Sequence, residues 1–157
     1  GFRVKMPSYE HVPKNFITDM YNVQAMLGLS QLERIDLTNK KRMENAKILN
    51  DELSGIKGIS IPPCVTDREF AAVHYAIWTE NVKPLQVFLT RNNVDAQDES
   101  AVNTTGLERF KNYVTGKFPN AEKLHKKTIF LPTHPYLTKK DMIYMSGKVK
   151  EFVRNGQ

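Results

Sequence analysis

The sequence predicts an α+β fold: a small, mostly antiparallel three-strand sheet with helices packed on it, and one long N-terminal helix ahead of it. Three observations lead there. From Met20 to Leu53 apolar residues recur at helical spacing without a proline. Val73 to Thr79 reads VHYAIWT, β-branched and aromatic with apolar residues on both faces, as a central strand does. Two more strand-like segments, Val94–Gln97 and Ile129–Leu131, are separated from it and from each other by helical stretches. The 157 residues are enough for one compact domain with its own core.

Residues 1–17 read as an irregular lead-in broken by Pro7 and Pro13. A long helix of the interdomain type is expected over 18–55. Thr18 is its candidate N-cap, and Asp19 puts a carboxylate in the first turn, where the helix end is positive. Met20, Val23, Ala25, Met26, Leu27 and Leu29 make the first part apolar over a wide arc. Leu32, Ile35, Met43, Ala46, Leu49 and Leu53 continue as a narrower stripe, Asp36 and Lys40 can pair on the outer face, and Gly55 is a natural stop. At about 1.5 Å per residue, some thirty residues span roughly 50 Å, more than so small a domain covers. The arc before Gln31 is therefore expected to meet a missing domain or a second subunit. The alternative is a kink near Gly28 that folds the first part back onto its own core.

Residues 56–157 are expected to form the small α+β domain. Ile59–Ile61 is a short strand closed by Pro62 and Pro63. Pro84 suits the first turn of a helix carrying Leu85, Phe88 and Leu89. Ala101 to Gly106 is polar and loop-like, and Leu107–Tyr113 reads as a short helix. Pro119 opens another helix with Ala121 and Leu124 inward. Thr138 caps the last helix, with Asp141 three residues on as in a capping box, and Met142, Met145, Val149, Phe152 and Val153 form its core stripe.

The net charge is +6, much of it in Lys40-Lys41-Arg42, Lys126-Lys127 and Lys139-Lys140. Acids are interleaved at Glu33, Asp36, Glu44, Asp51 and Glu52, so these read as solvated helix faces. No strip of alternating aromatic and basic residues accompanies them, which argues against a nucleic-acid surface. No run approaches the length that crosses a bilayer, and GFRVKMPSYEHVPKN lacks the apolar centre of a signal peptide, so no membrane partner is expected. Cys64 is the only cysteine, which excludes an internal disulfide framework and fits a reducing compartment, the cytoplasm by default. The absence of Met at position 1 fits an internal piece of a longer chain.

A self-contained active site is not legible. His11, His74, His125 and His134 are scattered and none has a metal-ligand partner at helical spacing, so no metal is expected. Cys64 follows two prolines with no neighbouring base to depress its pKa. The eight glycines are dispersed and make no phosphate loop. No lysine sits where burial would release the neutral amine that imine formation needs.

Three blocks carry a family likeness: Met20–Asn45, MYNVQAMLGLSQLERIDLTNKKRMEN; Val73–Gln97, a strand, helix and returning strand; and Phe118–Thr138, FPNAEKLHKKTIFLPTHPYLT. In that order they resemble the C-terminal domain of the sugar aminotransferase family often called DegT–DnrJ–StrS. The resemblance implies a pyridoxal-phosphate enzyme of fold type I. It would move an amino group, usually from glutamate, onto a keto-sugar nucleotide, and would act as a homodimer joined through the long helix. In that family the Schiff-base lysine, the carboxylate at the pyridine nitrogen and the phosphate cup lie on the large N-terminal domain. This chain is expected to begin after that domain, to hold no cofactor alone, and to be inactive as an isolated piece; no catalytic residue is carried over.

The sequence also departs from the family. Just ahead of the first block the family shows Asn-aromatic-Arg, the Asn reaching across the dimer to the neighbouring cofactor's phosphate. Without gaps those positions are Ile17, Thr18 and Asp19, and a carboxylate at Asp19 would repel phosphate. Asn15, followed by Phe16, supplies the Asn only by slipping two residues, and is the one weak candidate for cofactor binding. A His-Tyr-Pro stretch near the family's substrate aligns with Glu99, Ser100 and Ala101. These departures keep open an alternative: a non-catalytic interaction or regulatory module derived from the same fold.

Overall fold

The computed structural model describes residues 20–63, 71–98 and 103–156. The lead-in 1–17, the expected cap at Thr18 and Asp19, and Cys64 lie outside the described residues. In chain order come α1 (Asn22–Leu32), α2 (Ile35–Leu53), β1 (His74–Trp78), α3 (Val82–Arg91), two 3-10 turns (Thr104–Gly106 and Glu108–Tyr113), α4 (Pro119–Lys127), β2 (Thr128–Pro132) and α5 (Lys139–Arg154).

Among the described residues the sheet has two strands, where three were expected. β1 and β2 run antiparallel, His74 opposite Pro132 and Trp78 opposite Thr128. Each outer edge carries a single bridge, Ser60 to Trp78 and Gln97 to Phe130. The expected strand Val94–Gln97 shrinks to that bridge because its amides are spent elsewhere. The Val94 N–H donates to the Leu89 carbonyl and the Ala96 N–H to the Val94 carbonyl, both at 2.9 Å. Its period-two burial survives, with Val94 and Ala96 buried. On the other edge, Pro62 and Pro63 have no N–H with which to extend the ladder beyond Ser60.

The long helix expected over 18–55 is two helices. The break falls at Glu33–Arg34, not at Gly28, with Arg34 at φ −114°, ψ 0°. Arg34 itself accounts for it. Its Nε donates to the Ser30 carbonyl at 3.2 Å, the acceptor that its own amide would use in a continuing helix. That amide bonds Gln31 O instead, at 3.1 Å. The Thr38 hydroxyl then donates back to the Ile35 carbonyl at 2.9 Å, a bond that favours a bend. Nor does α1 fold back: it has no buried residue. Farther on, α2 carries its exposed ion pairs at Lys41–Glu44 (3.1 Å) and Lys47–Asp51 (2.7 Å), beyond the expected Asp36–Lys40 position. It ends as expected, with Gly55 at φ +75° just past its last turn.

The core lies between one face of the sheet and helices α2, α3 and α5. It gathers Leu49 and Leu53 from α2, Tyr75 and Ile77 from β1, Leu85 and Leu89 from α3, Ile129 and Leu131 from β2, and Met142, Met145, Val149 and Phe152 from α5. The second face of β1 is only half covered at Ala76 and Trp78, so that strand is central by its edges and not by its faces. α4 differs from expectation too: Ala121 is exposed and Leu124 is 48% exposed. Both line an open cleft with Phe118 instead of entering the core.

The cap of α5 is as expected. The Asp141 N–H bonds Thr138 Oγ1 at 3.3 Å, and the Thr138 N–H bonds Asp141 Oδ2 at 2.7 Å. The Thr138 hydroxyl also donates to Asp141, and these bonds hold that carboxyl below its ordinary pKa. A lowered folded pKa adds stability above the unfolded value, lost as pH falls through the folded value. Thr138→Ala is expected to cost about 1 kcal/mol at neutral pH. It should also flatten the acid limb of the stability profile below about pH 4, as urea titrations at several pH values would register.

Candidate functional site

Asn15, His11, Cys64 and Glu99–Ala101 lie outside the described residues, so the site is built from what remains. Among the described residues no group of three or more His, Cys, Asp or Glu could hold a metal. His74 turns its ring edge toward Phe130, centroids 6.1 Å apart at 70°. His134 lies against Tyr136 at 5.1 Å, and its Nδ1 accepts the Tyr136 N–H at 3.4 Å.

His125, in the last turn of α4, is shared by two open clefts. The larger, about 370 Å³, is lined by Glu80, Val82, Lys83, Pro84, Asp98, His125 and Lys126. The smaller, about 300 Å³, is lined by Asn103, Thr104, Thr105, Phe118, Ala121, Leu124, His125 and Thr128. In the first, Lys83 Nζ pairs with Asp98 at 2.9 Å. In the second, the Asn103 carboxamide accepts from the Thr105 amide and hydroxyl at 3.2 and 2.7 Å. The Lys83–Asp98 pair ties α3 to the segment that follows it, and the Asn103 bonds stay within their own turn.

The described lysines do not fit a cofactor aldehyde. An amine that forms an imine must be held neutral by burial or by a like charge. The three lysines that are partly shielded instead meet carboxylates: Lys127 with Glu80, Lys148 with Glu151 at 2.8 Å and Lys150 with Glu52 at 2.5 Å. The bond to Glu151 raises the Lys148 pKa, the direction opposite to the one required.

What the fold does bring together is α2, the entry of β1 and the 133–137 turn. Thr133 is fully buried, and its hydroxyl sits between the carbonyls of Ala72 and Val73, tying the end of β2 to the entry of β1. Asn45, 4% exposed on α2, donates from Nδ2 to the carbonyls of His134 (3.1 Å) and Leu137 (3.4 Å). Arg42 donates to the Val73 carbonyl at 3.3 Å. The 133–137 turn is thus fastened to α2 by Asn45, and it presents Tyr136 at 85% exposure. α1 is exposed as well, with Met26 at 70% and Leu27 at 61%. Sequence reasoning found the apolar arc of α1 but missed Asn45 and Thr133. Asn45 had a visible signal, a polar residue beside Ala46 on the inward stripe of a helix.

No helix among the described residues is long and apolar enough to cross a membrane. A family model described as the DegT/DnrJ/EryC1/StrS aminotransferase family matches residues 2–150. The chain is similar to an uncharacterised protein of Methanocaldococcus jannaschii, 27% identical over 154 residues, covering 92% of this chain and 40% of that protein. It is similar to the spore coat polysaccharide biosynthesis protein SpsC of Bacillus subtilis, 27% identical over 156 residues, covering 93% of this chain and 40% of the other. Among solved structures, a DegT DnrJ EryC1 StrS aminotransferase from Brucella abortus superposes with a TM-score of 0.75 at 23% identity, over 83% of this chain and 35% of that one. The chain spans about 40% of the length of the curated relatives it matches.

Proposed function

This chain belongs to the DegT/DnrJ/EryC1/StrS aminotransferase family, and from that premise we propose that it is the small C-terminal domain of a pyridoxal-phosphate enzyme that aminates keto-sugar nucleotides with glutamate as donor. One observation carries the reading. The family match covers nearly the whole chain, yet the chain spans only about 40% of its relatives. The lysine that holds the cofactor is then sought in the remaining part. The name of SpsC, a spore coat polysaccharide biosynthesis protein, supports sugar chemistry in a relative.

In this reading pyridoxal phosphate supplies the electron sink of amino transfer from its seat on the larger domain. The present domain completes the molecule from the side. Its partners are that missing domain and a second copy, the helical arm of α1 and α2 being the part expected to take part in the homodimer. The single cysteine fits a cytoplasmic enzyme.

The test is spectroscopic. Full-length protein mixed with pyridoxal phosphate should develop an imine absorbance that glutamate discharges, and should then aminate a keto-sugar nucleotide. The 157-residue chain alone should do neither. A full-length protein that binds the cofactor but leaves every keto-sugar nucleotide unchanged would remove the substrate assignment. A second reading, a non-catalytic module of the same descent, draws on Ile17, Asp19 and Glu99-Ser100-Ala101 at positions where the family carries functional residues. It expects folded full-length protein with no imine absorbance.

A further inference from the structure

Between Leu29 and Leu53 the chain holds neither glycine nor proline, yet the helix breaks at Glu33 and Arg34. Sharp bends come from proline, glycine, a π-bulge or a side chain that enters the backbone ladder. Here the intruder is the Arg34 guanidinium, with Nε on the Ser30 carbonyl at 3.2 Å and Nη2 at 3.5 Å from the Ser30 hydroxyl. The groups around it are left idle. The amides of Ile35, Asp36 and Leu37 have no acceptor among the described residues, and the Leu32 and Glu33 carbonyls have no donor there. The first bonded amide of α2 is that of Thr38, on the Arg34 carbonyl at 3.0 Å.

These idle groups are already in helical register. Ile35 and Gln31, Asp36 and Leu32, and Leu37 and Glu33 each stand four residues apart, the spacing of an α-helical bond. Leu32, Glu33, Arg34 and Ile35 are ordinary helix formers, so no residue at the break resists closure. Packing does not resist it either, since residues 30–37 are exposed throughout. Water stands in for whichever partner is missing, and burial locks neither form. We propose that Arg34 is the latch of a two-state joint. With the guanidinium on the Ser30 carbonyl, α1 and α2 meet at a bend. With it withdrawn, the Arg34 amide takes that carbonyl, the three idle amides find acceptors, and Asn22–Leu53 becomes one helix. α2 is held in the core through Ala46, Leu49 and Leu53, whereas α1 has no buried residue. Closing the joint therefore swings α1 relative to the rest of the domain. The inference concerns the two helices alone and depends on neither cofactor nor substrate.

The test is hydrogen exchange, read residue by residue on the full-length polypeptide. In the unaltered protein the amides of Ile35, Asp36 and Leu37 should exchange roughly 10-fold faster than that of Thr38, each rate being corrected for its intrinsic value. Equal protection of all four would overturn the proposal. Arg34→Met keeps a long side chain and good helix propensity but removes every donor. It should slow the three amides by roughly 10-fold and bring them level with Thr38, while the amides of α5 keep their rates. Arg34→Ala should do the same. Unchanged rates at 35–37 in both variants would overturn the proposal, because the break would then belong to the surrounding chain and not to the guanidinium. The measurement on the unaltered protein stands whether or not a variant folds.

Discussion

Leu49→Ala should destabilise the domain by about 3 kcal/mol, within the range for removing a buried leucine. Leu49 is fully buried where α2 faces α5 and the sheet. Truncation removes its transfer free energy and also leaves a cavity that two helices and a sheet cannot collapse into. For a chain of this size that corresponds to a fall in melting temperature of about 10 °C. Lys47→Ala, two residues away on the exposed face, should stay within about 0.5 kcal/mol of the parent. Urea unfolding of both variants checks the pair, and equal midpoints would remove Leu49 from the core.

Asn45→Ala should cost about 2 kcal/mol, because two carbonyls that face a buried carboxamide lose a donor. The His134 carbonyl keeps a second partner, the Leu137 N–H at 2.9 Å, so the turn loosens without being released entirely. Asn45→Asp should be worse than alanine. It sets a carboxylate against two carbonyl oxygens in a site that is 4% exposed, where an unpaired charge is heavily penalised. The order Asn, Ala, Asp in stability is the discriminating result. Faster exchange of the Leu137 amide would trace the loss to the turn. If Asp matched Asn, the assignment of the carboxamide as donor would fall.

The last helix was readable because everything that defines it is local: a capping box three residues wide and a stripe at regular spacing. The stop of α2 at Gly55 is local as well. The sheet was less readable because pairing is decided elsewhere in the chain. Val94–Gln97 alternates as a strand should, but its amides had nearer acceptors in Leu89 and Val94. The break at Arg34 was invisible to periodicity, since it depends on one guanidinium taking one carbonyl. The surface was half legible. An uncharged apolar helix announces itself, whereas Thr133 among prolines and aromatics looks like any loop threonine until its hydroxyl is placed between two carbonyls.

The margins of the sheet have a consequence for this chain on its own. An open β edge invites a foreign strand to add itself, and growth then continues without limit. Here one border stops at Ser60 before a pair of prolines, and the other bends its donors into the end of α3. Among the described residues, a newly made copy therefore offers no open strand edge as a template for fibre growth, even while α1 stands uncovered. Whatever sticks to it must come by way of helices, in contacts that a proper mate can displace.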